Sequence, residues 1–255
     1  MELTILGCGG SMGIPAIGCS CLVCTSPDPR NQRLRTAALL TDGPRRILID
    51  PGPDFRQQAL RAGLSRLDAI LVTHAHSDHI AGLDDVRPIN FAMGAPIPLF
   101  CLDDTLERLR RQFAYIFADG PSLSTRPQIE ARPIAPAGPF EAGGVSFTPL
   151  PVSHGEWGIV GFRVGGLAYL TDVSAIPEST FALLEDLDAL VLGALRYEPH
   201  PLHFTVEQAL AAIERIRPRR AWLTHMGHDL EYERDNALLP DHVRLAHDGL
   251  VIRFD

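Results

Sequence analysis

The stretch LDAILVTHAHSDHIAG, Leu67 to Gly82, decides how the rest of the chain reads. Its apolar run Ile70-Leu71-Val72 is too short for a helix and has the character of a buried strand that stops at Thr73. Beyond it, three histidines and an aspartate crowd into six residues: His74, His76, Asp78 and His79. Near a strand end, residues two apart point the same way, so His74 and His76 can present imidazoles to one ion. Asp78 and His79 follow after the chain has turned, and can serve a second ion from another side of the same cavity. The competing reading is a polar loop that happens to be rich in histidine. The strand-end placement and the further ligands downstream weigh against it.

Those ligands come by the same arrangement. The strand Val145 to Leu150 leads through Pro151-Val152-Ser153 to His154, Leu167 to Leu170 leads to Asp172, and Ala221 to Thr224 delivers His225. A lone histidine or aspartate at such a place is usually structural, but beside the His74–His79 cluster these read as metal ligands. A separate motif, CxCxxC at Cys19, Cys21 and Cys24, brings three thiolates close enough for one tetrahedral ion, with zinc the natural occupant. Three thiolates and a fourth ligand from elsewhere would leave no open position, so this site reads as structural. It would pin the loop at about residues 15–35 onto the body of the protein.

A chain of 255 residues, 45% hydrophobic, can bury a sizeable core, and it is read as a single domain over 1–255. No apolar run approaches the roughly 20 residues of a membrane span, and a strand-like run begins at Leu3 with no basic segment before it, so a soluble, cytoplasmic protein is expected. The formal charge of -8 argues against an extensive nucleic-acid surface but not against a small phosphorylated substrate. Arg108, Arg110 and Arg111 read as a solvated helix face. Five cysteines, three of them crowded, do not suggest a disulfide framework. Cys8, in the loop Gly7-Cys8-Gly9-Gly10-Ser11, reads as a small buried residue rather than a ligand, and Cys101 as core.

The remaining pattern predicts strands at Glu2 to Leu6, Ile97 to Leu102, Ile159 to Val164 and Leu187 to Leu192, and a hairpin of Thr36 to Leu40 with Arg46 to Ile49. Helices are predicted at Asp54 to Ala62, with Phe55, Ala59 and Leu60 on its buried face, from Ile80 to Leu83 onward, at Thr105 to Phe117, and at Thr205 to Ile216 behind a capping box of Thr205 and Gln208. Val243 to Ala246 and Leu250 to Phe254 are predicted to close the chain as a hairpin. The aromatic run Phe113 to Phe117 reads as core, with contact to a substrate base or sugar as the alternative. Strand-rich halves with helices between them fit an α+β class and an αββα sandwich of two mixed β-sheets flanked by helices.

The motif HAHSDH, together with CxCxxC and the His225…His228 pair, resembles the metallo-β-lactamase-fold hydrolases, with motifs running from Gly7 to His228. Among them the chain looks most like the PhnP-type phosphodiesterases, which open a cyclic phosphate on ribose. The resemblance implies His74, His76 and His154 on one ion, Asp78, His79 and His225 on the other, and Asp172 bridging the two. It also implies His228 as fourth ligand of the cysteine site, Asp50 as an aspartate that orients ligands without binding metal, and His203 as the residue that protonates the leaving group. Asp78 could additionally orient the attacking hydroxide. The implied cofactors are two divalent catalytic ions, manganese or zinc, and one structural zinc. A homodimer is suggested by the resemblance alone. Phe113 to Ser124 departs from the family pattern, which leaves a ribosyl substrate open. His200 is the rival of His203, and His242 and His247 read as surface or fold residues. Other readings are a thiolester or lactone hydrolase, an RNA-processing enzyme without a visible basic arm, and a non-catalytic carrier of the pyrroloquinoline quinone (PQQ) biosynthesis type, which a missing ligand would betray.

Overall fold

The structure is a computed structural model that describes residues 1–118, 120 and 124–255; Pro121, at the head of the proline-rich passage, and part of the stretch Phe113 to Ser124 lie outside the described residues. Two seven-stranded sheets face each other. The first runs β14 (Val251–Arg253), β1 (Glu2–Gly7), β2 (Ala37–Asp42), β3 (Arg45–Ile49), β4 (Ala69–Leu71), β5 (Ile97–Cys101) and β6 (Ile129–Pro133). The second runs β13 (Val243–Leu245), β12 (Arg220–Thr224), β11 (Ala189–Gly193), β10 (Leu167–Leu170), β9 (Trp157–Val164), β8 (Val145–His154) and β7 (Phe140–Ala142). Each sheet pairs its first strands antiparallel and its last ones parallel. From β14 to β3 and from β7 to β10 the neighbours are antiparallel, and from β3 to β6 and from β10 to β13 they are parallel.

Strand alternation sets the layers. Ala38, Leu40, Ile47 and Ile49 point into a core shared with Val160, Phe162, Tyr169 and Leu190 of the other sheet. Leu39, Leu48, Ile70 and Leu99 point outward, beneath Phe55, Leu83, Leu106 and Leu109. Each fully buried Leu or Ile of this kind contributes about 1.5–3 kcal/mol. The helices over the sheets are α1 (Phe55–Arg61), α2 (Ser77–Ile80), α3 (Arg87–Met93), α4 (Asp103–Gln112), α5 (Ala114–Phe117), α6 (Glu178–Phe181), α7 (Val206–Ile216) and α8 (Tyr232–Asn236). This is the αββα arrangement. Among the described residues no helix is long and apolar enough to cross a membrane.

The structure corrects several local expectations. Val243–Leu245 and Val251–Arg253 do not form a hairpin: β13 pairs parallel with β12, while β14 pairs antiparallel with β1 in the opposite sheet. On α1 Phe55 and Ala59 face the core as expected, but Leu60 is exposed and the third inward residue is Gln58, whose Nε2 donates to Arg35 O at 2.8 Å. The helix expected at Thr105 to Phe117 breaks at Phe113 into α4 and α5. The helix expected from Ile80 begins earlier, at Ser77, so Asp78 and His79 lie in it. The strand β6 was hidden in the proline-rich passage. The capping box of α7 is present in both directions.

Candidate metal centre

The site forms where strand ends of both sheets meet. Asp50 follows β3, His74 to His79 follow β4, Asp172 follows β10 and His225 follows β12, while His154 ends β8. Of the five non-glycine residues described with left-handed backbone conformations, three stand here, Asp50, Asp172 and His225 at φ 61, 57 and 55°. Such conformations are disfavoured for L-residues and gather where a side chain has to be aimed.

In the first cluster, His76 Nδ1 faces His74 Nε2 at 3.0 Å and His154 Nε2 at 3.3 Å. The outer nitrogens of His74 and His154 are already committed. His154 Nδ1 donates to Leu202 O at 2.8 Å, and His74 Nδ1 donates to Thr73 Oγ1 at 3.0 Å, whose hydroxyl donates to Asp50 Oδ2 at 2.8 Å. In the neutral rings the inner nitrogens of His74 and His154 are therefore bare lone pairs. Both are aimed at one nitrogen of His76, which can offer a proton to only one of them. Burial first, then the neighbouring His79, holds the His74 imidazole well below its ordinary range, which keeps it neutral. Separations of 3.0 and 3.3 Å from His76 Nδ1 are close to the edge, about 3.3 Å, of a tetrahedron with 2.0 Å metal–nitrogen bonds.

In the second cluster, His79 Nδ1 donates to Asp50 Oδ2 at 2.8 Å, and Thr73 N–H holds Asp50 Oδ1 at 2.8 Å. His79 Nε2 is turned inward, 3.4 Å from Asp78 Oδ2 and 3.2 Å from Asp172 Oδ2, and has no hydrogen-bond partner although fully buried. His225 Nε2 lies 3.4 Å from Asp78 Oδ2 and 3.2 Å from Asp172 Oδ1. Burial pushes the carboxyls of Asp78 and Asp172 up, but His225 and His79 outweigh it and hold both well below the usual carboxylate range. Ionised carboxylates facing two inward imidazole nitrogens, that of His79 without a hydrogen-bond partner, are a donor set that fits a divalent cation. Asp172 also stands within ligand reach of His154 and His203, so it touches both clusters.

The cysteine cluster is equally tight. His228 Nδ1 stands 3.2 Å from Cys19 Sγ and 3.5 Å from both Cys21 Sγ and Cys24 Sγ. A tetrahedral ion with sulfur at 2.3 Å and nitrogen at 2.0 Å would space them by about 3.5 Å. The Cys24 backbone N–H pulls Cys21 down to about 6, while burial pushes Cys24 up to about 11. Arg33, fully buried, ties this loop to the His228 loop by donating to Gly227 O at 3.2 Å and Leu230 O at 2.7 Å.

Every residue expected in the site is thus brought together: His74, His76, Asp78, His79, His154, Asp172 and His225 in one centre, Cys19, Cys21, Cys24 and His228 in another, and Asp50 behind the first. His203 lies with its Nδ1 3.6 Å from Asp172 Oδ1, at the wall of an open cavity of ≈ 530 Å³ that His76, Asp78, His154, Asp172 and His225 also line. His200 lines the same cavity. The run Phe113 to Phe117 does not line it: Ile116 is buried in the outer core, Phe113 and Phe117 pack against that core, and Tyr115 donates to Asp84 Oδ1 at 2.8 Å. Cys8 is buried, with its thiol toward Asp248. Arg108 is not merely solvated: its guanidinium sits 4.1 Å above the Trp157 ring, whose indole lies against His76 at 4.5 Å. Trp157 and Thr73 were missed as parts of the site. The signal for Trp157 was its place three residues after His154, across a tight turn.

A family model described as the beta-lactamase superfamily domain matches residues 45–226. A solved structure titled as a new diphosphatase from the PhnP family is 44% identical, with a TM-score of 0.93 over 100% of this chain and 98% of that one. An octanoyltransferase of Porphyromonas gingivalis is 38% identical over 98% of this chain, which spans 51% of that relative, about half its length. A ribonuclease Z of Mycobacterium bovis is 29% identical over 77% of this chain and 71% of its own. The match of domain, ligands and fold has one conclusion: the chain belongs to the beta-lactamase superfamily, as a PhnP-like member.

Proposed function

We propose that this protein is a dinuclear metal-dependent phosphodiesterase acting on small cyclic phosphates or nucleotide and sugar phosphodiesters. The observation that carries the reading is the gathering of seven ligand side chains in two adjoining clusters, five of them lining one open cavity, with His203 beside Asp172. The imidazole and carboxylate donors suit zinc or manganese, and the three-thiolate set suits zinc. Two divalent ions bound here would supply Lewis acidity and a lowered pKa for water. The chain's own residues do the rest. The hydrogen bonds from Thr73 to Asp50, and from His154 to Leu202, fix which ring nitrogen faces the cavity. Water oxygen bonds to phosphorus as its proton passes to solvent, the ester P–O bond breaks, and the departing alkoxide takes its proton from His203. Burial and then His225 hold His203 down to about 3, so it is neutral until a phosphate arrives; the negative charge of the substrate then raises its proton affinity.

His203→Ala should lower turnover of bis(p-nitrophenyl) phosphate and 2′,3′-cyclic nucleotides by about 10²–10⁴-fold while leaving metal content unchanged. Turnover that survives the change would remove His203 from the chemistry. The octanoyltransferase relative favours a second reading, hydrolysis of a small acyl thioester, in which the same ligands would face the thioester carbonyl in place of a phosphate. Octanoyl-N-acetylcysteamine assayed beside the diesters separates the two.

A further inference from the structure

Two of the three imidazoles in the first cluster are fixed by hydrogen bonds, His74 to Thr73 Oγ1 and His154 to Leu202 O. His76 stands between them with its Nδ1 toward both. Among the described residues its other ring nitrogen has no hydrogen-bond partner, and the ring is only partly buried. Packing therefore has to hold it at the angle an ion requires.

One face of α4 supplies that packing. Arg108 and Gln112 stand one helical turn apart, on the same side of the helix. The Arg108 guanidinium lies 4.1 Å from the centre of the Trp157 ring, and that ring lies 4.5 Å from His76 at an interplanar angle of 35°. Gln112 Nε2 donates to Ala75 O at 3.3 Å, the carbonyl between the first two histidines of the motif. The helix thus reaches the loop twice, through an indole to a ligand ring and directly to the backbone beside it.

Arg108 has acids at hand and does not take them. Asp104 and Glu156 line one small cavity of ≈ 200 Å³ with Arg108, His74 and Trp157, yet among the described residues neither forms an ion pair with it. A guanidinium is attracted to the face of an indole, and more strongly where water is excluded. Arg108, Gln112 and Trp157 are absent from the lining of the larger cavity beside His203, so their effect on a substrate passes through His76. The second cluster is held by other means, His79 by Asp50 and His225 between the rings of His79 and His203.

We infer that Arg108 and Gln112 are positioning residues for the first metal position: together they hold His76 toward His74 and His154, and so set the affinity of that position independently of its neighbour. The inference rests on the dinuclear reading of the site, and its test reads metal, so the choice between a phosphate diester and a thioester does not enter.

In chelator competition on the zinc-loaded full chain, Arg108→Gln combined with Gln112→Leu should weaken one ion per chain by about 10- to 100-fold and leave the others as tightly held as in the parent. Arg108→Lys, which keeps a cation over the indole, should recover part of what Arg108→Gln loses. In a His76→Ala background, where the first position is already gone, the double change should have no further effect. The metal-free double variant should melt where the metal-free parent does. A double variant that keeps every ion as tightly as the parent, or that loosens all of them alike while its metal-free form melts earlier, would overturn the inference and reduce this face of α4 to scaffold. Selective loss of one ion in a protein that cleaves no diester would retire the phosphodiesterase reading and leave the positioning role standing.

Discussion

Asp50 is fully buried, yet it reaches both metal clusters. One carboxylate oxygen takes His79 Nδ1–H directly and takes His74 through the Thr73 hydroxyl. Asp50→Asn would replace acceptors with an amide that has two protons to place, and would turn one of them against His79. We expect about 10- to 100-fold weaker metal binding, measured by chelator competition, with the far-ultraviolet dichroism unchanged. His203 sets a pH dependence whose sign follows from its shift. Unfolded, it takes a proton at its ordinary 6.5; folded, it stays bare down to about 3. Below 6.5 the unfolded chain thus binds the extra proton, and His203 subtracts stability progressively as pH falls through that window. In urea titrations at pH 7 and pH 4.5, the metal-free His203→Asn variant should lose less stability on acidification than the parent. The seven side chains that gather at strand ends were legible in the sequence from residue type and spacing, and the three cysteines from CxCxxC, whereas His228 entered only through the family resemblance. Their supports were not. Thr73 is anonymous in a sequence, and the left-handed backbone at Asp50, Asp172 and His225 belongs to residue types that give no local sign of it.

At the level of the elements, the ligands are anchored in two ways. His74, His79 and His154 each give their outer nitrogen to a hydrogen bond. His76 and His225 have none recorded there among the described residues and are held by rings: His225 between His79 and His203 at 15° and 17° interplanar angles, His76 beneath Trp157. The Trp157 ring is backed in turn by Arg108 of α4. Trp157→Ala should therefore lower occupancy of the His74–His76–His154 position while the cysteine site keeps its ion, and Trp157→Phe should restore it; metal per chain by mass spectrometry reads both. In the cysteine loop, Cys24 stays protonated up to about 11, so metal uptake near pH 8 must expel its proton. Calorimetry in two buffers of different ionisation enthalpy should detect release of about one proton or more. Element types were legible where periodicity was long, as in α7, and failed where tertiary pairing decided. β13 and β14 flank a short turn and look like a hairpin, but each finds a better neighbour in a different sheet.

For the whole molecule, the two sheets repeat one pairing pattern and contribute unequal chemistry. The strands β3 and β10 hold equivalent places, and each is followed by a left-handed aspartate, Asp50 as a support and Asp172 as a shared ligand. The fold class was readable from the succession of strand-rich halves, whereas the order of strands was not, because it depends on pairings more than two hundred residues apart, such as Glu2 with Arg253. Chelation should lower the melting temperature, and returning zinc or manganese should restore it, since ions that bind only the folded chain stabilise it by mass action. Four ligands come from the first sheet's loops and three from the second's, while the backbone joins the two sides nearby only sparsely, as where Val160 N–H meets Thr73 O at 3.3 Å. Bound ions would then act as rivets across a seam. Without them the halves are free to part at that edge, and amide exchange at Thr73, Val160 and Met226 should quicken long before the strands between them open.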